Sequence, residues 1–141
     1  ARHLINIGVA KDFTDVFKRF LVPGKPGYYR VDWAAMEEAV NWITGAGGIA
    51  VLAHPLRYKL TANWLNRVLA AFRESGGLGM EVVCGHNRPD DNARSALFAR
   101  KHNLMASQGS DFHEPGKWVE LGKLAKLPDG LEPVWQQWLD Q

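Results

Sequence analysis

The sequence has a single cysteine in 141 residues, Cys84. An intramolecular disulfide and a thiolate zinc knuckle are therefore excluded, and the usage fits a reducing cytoplasm. No apolar run approaches 18 residues, so no transmembrane helix is coded. Strong charge is also lacking: 17 Lys and Arg against 15 Asp and Glu leave +2. That balance admits an anionic substrate and is far from that of a nucleic-acid packaging protein. Disorder is excluded by 46% hydrophobic residues with only 23% charged. Initiator methionine, signal peptide and targeting stretch are all absent, because the chain opens on Ala1-Arg2-His3-Leu4-Ile5. Leu4, Ile5 and Val9 look like an apolar face already under way. The sequence reads as one domain, or a large piece of one, cut inside a longer protein.

What is present begins with a short helix. Asp12 is placed to cap it and Asp15 lies in its first turn, with Phe13, Val16, Phe17, Phe20 and Leu21 at helical spacing. Pro23-Gly24-Lys25-Pro26-Gly27 ends that helix in a loop. A second helix is expected after Asp32, with Met36, Ala39, Val40 and Ile43 inward, and Gly45, Gly47 and Gly48 end it. Strand–helix units follow. Ile49–Ala53 reads as a strand buried on both faces, 61–74 as a helix and Met80–Cys84 as a second strand. Pro89 lies near the start of the next helix, Leu104–Ser107 reads as a third strand, and a last helix is expected over 131–139. Trp33, Trp42, Trp64, Trp135 and Trp138 read as mostly helical core positions. Such alternation means an α/β fold with a parallel sheet.

In folds of this class chemistry gathers at the carboxyl ends of strands. His54-Pro55 closes the first strand, and Gly109-Ser110-Asp111-Phe112-His113 follows the third. Asp111 and His113, two apart in an extended segment, project to one side and can grip one metal cluster. The competing reading is an Asx-turn with a surface histidine, and for His54 a ring satisfied by a carbonyl. Carboxylate and imidazole donors without a thiolate suit manganese, iron or zinc in a hydrolytic site. His86 follows the second strand and faces the same end, with a weaker claim. Glu81 supports the site or forms a salt bridge, His3 and His102 read as structural, and Cys84 as a buried small hydrophobe. For anions, Gly24–Arg30 sets two cations and two aromatics in a glycine-rich loop that is not a Walker loop; its alternative is a plain basic surface loop. Arg57, three residues after His54, offers a bidentate phosphate clamp. Trp118 lies in a loop close to His113.

Val51-Leu52-Ala53-His54-Pro55 with Gly109-Ser110-Asp111-Phe112-His113 resembles the third and fourth motifs of the PHP (polymerase and histidinol phosphatase) superfamily. Val16-Phe17-Lys18, Gly24–Tyr28, Ala53–Tyr58 and Ala106–His113 resemble its bacterial branch of nucleoside 3',5'-bisphosphate phosphatases and 5'-to-3' exoribonucleases. This resemblance covers essentially the whole chain. It implies a distorted (β/α)7 barrel whose trinuclear site draws ligands from both halves, with residues 1–31 as a helical insertion or cap and 32–141 as the C-terminal part of the barrel. It further implies that His54, Asp111 and His113 bind metal, most simply manganese, with iron or zinc as alternatives. Asp111 and His113 would take part in catalysis, and Lys25, Tyr28, Arg57 and His113 in binding substrate. The family's His-x-His motif and its next histidine and glutamate ligands are missing, so they are expected upstream of residue 1.

The implied activity of the intact protein is metal-dependent hydrolysis of a phosphoester on a nucleotide or the 5' end of a short RNA. It would be cytoplasmic, without membrane attachment or a stable protein partner. Residues 1–141 alone are expected to be inactive and prone to associate. The alternatives are a phosphatase of a small non-nucleotide substrate such as histidinol phosphate, or a non-catalytic binding module.

Overall fold

The structure is a computed structural model that describes residues 1–113, 115 and 119–139; Trp118 lies outside them. The chain divides into two compact units, Ala1–Ala34 and Ala35–Gln141. Among the described residues no helix is long and apolar enough to cross a membrane.

The first unit holds α1 (Arg2–Asn6) and α2 (Phe13–Val16), which runs on into a π-helical turn at Phe17–Leu21. Asp12 caps α2 as its sequence position requires, its carboxylate accepting the Asp15 N–H at 2.8 Å. Arg19 donates to the Val9 carbonyl at 2.8 Å and pairs with Asp15 at 3.1 Å, tying the loop before α2 to the turn after it. Of the apolar row only Val16 is fully buried; Phe13 and Phe17 are half exposed.

In the second unit the order is α3 (Met36–Gly45), β1 (Val51–Leu52), a 3-10 turn at Pro55–Tyr58, α4 (Ala62–Glu74), β2 (Gly79–Cys84), α5 (Pro89–Lys101), β3 (Met105–Gly109) and α6 (Gln136–Leu139). The three strands form one parallel sheet in the order β1-β2-β3, the α/β arrangement expected. Val51 pairs with Gly79 and Cys84 with Gly109, with one irregularity after Glu81. Strand β2 is the centre: Met80, Val82 and Val83 are buried against Leu65, Leu69 and Phe72 of α4 and Ala96, Phe98 and Ala99 of α5. Burial on both faces explains why β2 is apolar at every position but Glu81 after its opening glycine.

Several expectations need correction. Helix α3 begins four residues after Asp32, where Glu38 reaches back to the Ala35 N–H at 2.9 Å. Of its apolar row Val40 is buried, whereas Met36 and Ile43 are exposed. Only Val51 and Leu52 of the 49–53 run enter the sheet; both are half-buried, and β1 has a neighbour on one side only among the described residues. Segment 131–135 is not helical: Glu132 and Val134 bracket Ala106 with backbone bonds of 2.8 and 2.9 Å, so it lies along β3 instead. The five tryptophans are not core residues. Trp33, Trp42, Trp64, Trp135 and Trp138 are all exposed, because a periodic apolar position marks a face and not what covers it. In α4 the sheet takes Leu65, and Trp64, about 100° round the helix, carries Arg67 at 4.9 Å instead.

Candidate functional site

Parallel pairing sets the carboxyl ends of all three strands side by side, bringing together segments 53–58, 84–87 and 110–113. The chain leaves β1 through His54 in the left-handed region, at φ +32°. A histidine there is uncommon and is held by its surroundings. Its N–H donates to Glu81 Oε2 at 2.7 Å. The Tyr58 hydroxyl donates to the Ala53 carbonyl at 2.7 Å, and its ring meets His54 edge-on at 5.9 Å. His54 Nδ1 is buried and has no hydrogen-bond partner among the described residues.

Glu81 is half-buried on β2. Burial raises its carboxyl above the ordinary range and Asp111 adds to this, while the His54 N–H, His54 itself and Arg57 act against it. Glycine at 109 leaves it room: a Cβ there would stand 2.7 Å from Glu81 Oε1. Similarly, a Cβ on Gly85 would stand 2.3 Å from the Ser110 carbonyl oxygen. Glycine at 85 lets the ends of β2 and β3 close up, with the Gly85 N–H on the Gly109 carbonyl at 3.0 Å.

Beyond β3, Asp111 is also left-handed, at φ +54°. Its carboxylate pairs with the Arg57 guanidinium and lies 3.9 Å from His86 Nε2 and 3.8 Å from His113 Nδ1. His113 Nδ1 is 2.7 Å from the Asp111 carbonyl oxygen, which fixes the ring beside its own turn. One carboxylate thus gathers a guanidinium and two imidazoles from three strand ends. Arg57, Asp111 and His113 are residues the sequence singles out. His86 had the weaker claim, and its signal was its place just after a buried strand.

Other candidates lie elsewhere. Lys25 and Tyr28 are in the first unit, in the turn after the π helix, where the Tyr28 N–H donates to the Lys25 carbonyl at 3.0 Å. His3 is on α1, and His102 caps α5, 2.8 Å from Asn66 Oδ1 of α4. Cys84 is buried, and burial pushes its thiol up, with the His86 N–H and Arg57 acting against this and Glu81 and Asp111 with it, as suits a small buried hydrophobe.

The donor chemistry fits a divalent cation. His54 presents an unpartnered buried imidazole nitrogen, and Asp111 with His86 and His113 supplies oxygen and nitrogen donors. The set is incomplete, however: no group of three or more His, Cys, Asp or Glu among the described residues is placed to hold an ion. His54, Asp111 and His113 are therefore not drawn into one ligand set, and Arg57 neutralises Asp111.

No protein-family model matches the chain. Over 138 residues it is 49% identical to the 5'-3' exoribonuclease Rnm of Escherichia coli, a match covering 98% of this chain and 47% of that protein. It is 46% identical to the 3',5'-nucleoside bisphosphate phosphatase of Chromobacterium violaceum, covering 97% and 48%. The chain is a homologue of these enzymes. The resemblance carried by its motifs to this branch is thereby borne out, and these homologues are hydrolases. Among solved structures, an amidohydrolase from C. violaceum with bound sulfate matches with a TM-score of 0.81 at 45% identity, over 99% of this chain and 48% of that one. A metal-dependent phosphoesterase from Bifidobacterium adolescentis matches with a TM-score of 0.66 at 28% identity, over 94% and 45%. The chain spans about half the length of the curated relatives it matches.

Proposed function

We propose that the intact protein is a cytoplasmic metal-dependent phosphoesterase that hydrolyses phosphate esters of nucleotides or of the 5' ends of short RNAs. The observation that carries this reading is the gathering of Arg57, His86, Asp111 and His113 at the strand ends, beside a buried imidazole nitrogen of His54 without a partner. Its support from relatives is the names of the homologues, an exoribonuclease and a bisphosphate phosphatase. In this reading residues 1–31 form a cap and 32–141 the C-terminal part of a (β/α)7 barrel.

His54, Asp111 and His113 would contribute ligands to divalent cations, manganese first. When bound, such ions supply Lewis acidity at the phosphoryl centre and hydroxide near neutral pH. Arg57 leaves Asp111 for the substrate and clamps a terminal phosphate through its planar fork. Lys25 and Tyr28, in the first unit, are further candidates for gripping a terminal phosphate, Lys25 as a point charge. In the alternative role, His113, the more exposed imidazole, leaves the ligand set and touches the leaving oxygen instead.

Asp111→Asn in the full-length protein keeps the side chain's shape and removes its charge. It is expected to lower metal occupancy and reduce hydrolysis at least about a hundredfold, as loss of a charged site group does. A panel of nucleoside 3',5'-bisphosphate, 5'-phosphorylated RNA and histidinol phosphate, each with manganese and after chelation, identifies the substrate class. Wild-type rates in the Asp111→Asn protein, or turnover of histidinol phosphate alone, would overturn the proposal.

A further inference from the structure

Trp33 is 86% exposed and Tyr29 82%, among the most exposed large hydrophobic side chains of the molecule; Tyr28, beside them, is 42% exposed. The three aromatics fall within six residues, in a stretch without helix or strand that leads out of the turn at Lys25. Arg30 sits between Tyr29 and Trp33, and neither it nor Lys25 makes an ion pair among the described residues. Residues 1–34 hold six basic and three acidic residues, a net +3, while residues 35–141 hold eleven and twelve, a net −1. All of the protein's net positive charge therefore lies in the unit that carries the aromatic stretch.

Aromatic faces and unpaired cations on one irregular segment match the chemistry of a single-stranded polynucleotide. Each unpaired base offers a π face to stack, and each phosphate a charge to neutralise. A duplex offers neither face, because its bases are already stacked. An acidic peptide would satisfy Lys25 and Arg30 but would leave two aromatic rings in water.

We infer that Tyr29, Arg30 and Trp33 form a stacking platform for single-stranded RNA, separate from the residues that grip the terminal phosphate. The inference rests on the phosphoesterase reading only in choosing RNA as the strand. Tyr29 and Trp33 would add affinity for nucleotides beyond the first and none for a lone nucleotide. The platform would thus favour an RNA chain over a mononucleotide.

The test is binding without turnover, by fluorescence anisotropy of a 5'-phosphorylated, 3'-labelled hexauridylate on the full-length protein with the metal chelated. The Tyr29→Ala/Trp33→Ala double variant is expected to bind this strand at least about tenfold more weakly, the order expected for loss of base stacking. Tyr29→Phe/Trp33→Phe is expected to stay within about twofold of wild type, because the stacking faces survive. Affinity for a nucleoside 3',5'-bisphosphate should be unchanged in both, and blunt RNA duplex should not compete. Unchanged hexauridylate affinity in the alanine variant overturns the inference, as does equal competition by duplex. So does an equal loss for the bisphosphate, which would mark a damaged fold or a phosphate contact. Because nothing is turned over, a protein that hydrolyses no phosphoester would sink the proposed function and leave this binding result standing on its own.

Discussion

At the scale of single residues the site depends on one unusual backbone turn and the room left around it. Glu81 holds His54 left-handed through a backbone hydrogen bond of 2.7 Å, and Gly109 keeps clear of the other carboxylate oxygen. Gly109→Ala would put a methyl 2.7 Å from that oxygen. The near atom ends a side chain, so Glu81 would give way before the backbone does. We expect a loss of about 1 kcal/mol, the low end for overpacked sites, with faster solvent exchange of the His54 amide. Urea unfolding and hydrogen exchange check this; an equally protected His54 amide in the variant would disprove the linkage. His54, Arg57, Asp111 and His113 were legible in the sequence because strand-end chemistry follows short apolar runs. Glu81 was legible only as supporting the site or forming a salt bridge; its bond to the His54 N–H was not, because that partner is 27 residues away and is set by the pairing of β1 with β2. Nor did any residue pattern mark His54 or Asp111 as left-handed.

Between elements, the approach of β2 to β3 is the tightest constraint. Gly85→Ala would drive a Cβ to 2.3 Å from the Ser110 carbonyl oxygen and 2.9 Å from Val119 Cγ1. A backbone oxygen cannot swing aside, so a loss of about 3 kcal/mol is expected, the upper end for overpacking. The loss would fall on the segment that carries Asp111. Thermal unfolding measures it, and a wild-type melting temperature would show that the strand ends are looser than this. Helices α4 and α5 meet through His102 and Asn66 at 2.8 Å. Burial lowers the pKa of His102, and Lys101 lowers it further. The unfolded chain, with a histidine pKa of about 6.5, then binds more protons than the folded one. Stability is therefore full above about pH 6.5 and falls as the pH drops from there through the depressed folded value. His102→Gln should flatten that part of the stability profile; an unaltered slope between about pH 5 and 7 would exclude His102 as its source. These same elements were the legible ones. Thr61 caps α4, Pro89 opens α5 and the run of β2 is buried on both sides, all local signals. The 131–135 stretch was misread because its partner is the distant Ala106, and the π turn because no periodicity announces it.

Across the whole molecule the apolar surface is large for a chain of this size. Trp42 and Ile43 of α3, Trp64 of α4 and Trp138 and Leu139 of α6 are all exposed, and β1 offers one edge without a paired neighbour among the described residues. Parallel sheets are ordinarily covered on both faces, and an open edge beside apolar surface is a template for association. The chain also spans only about half the length of the relatives it matches. Residues 1–141 prepared alone are therefore expected to self-associate through the β1 side and to bind manganese far more weakly than the full-length protein, without hydrolysis. Sedimentation velocity over about a tenfold range of concentration should show mass rising with concentration. Leu52→Lys, a charge set on the half-buried edge, should shift the distribution toward monomer, as inward charges do on natural sheet edges. The exposed tryptophans would be left unchanged by that substitution, which separates edge pairing from general stickiness. If Leu52→Lys leaves the distribution as it was, association runs through the tryptophan faces; a monodisperse, active monomer of residues 1–141 would refute both the open edge and the incomplete ligand set.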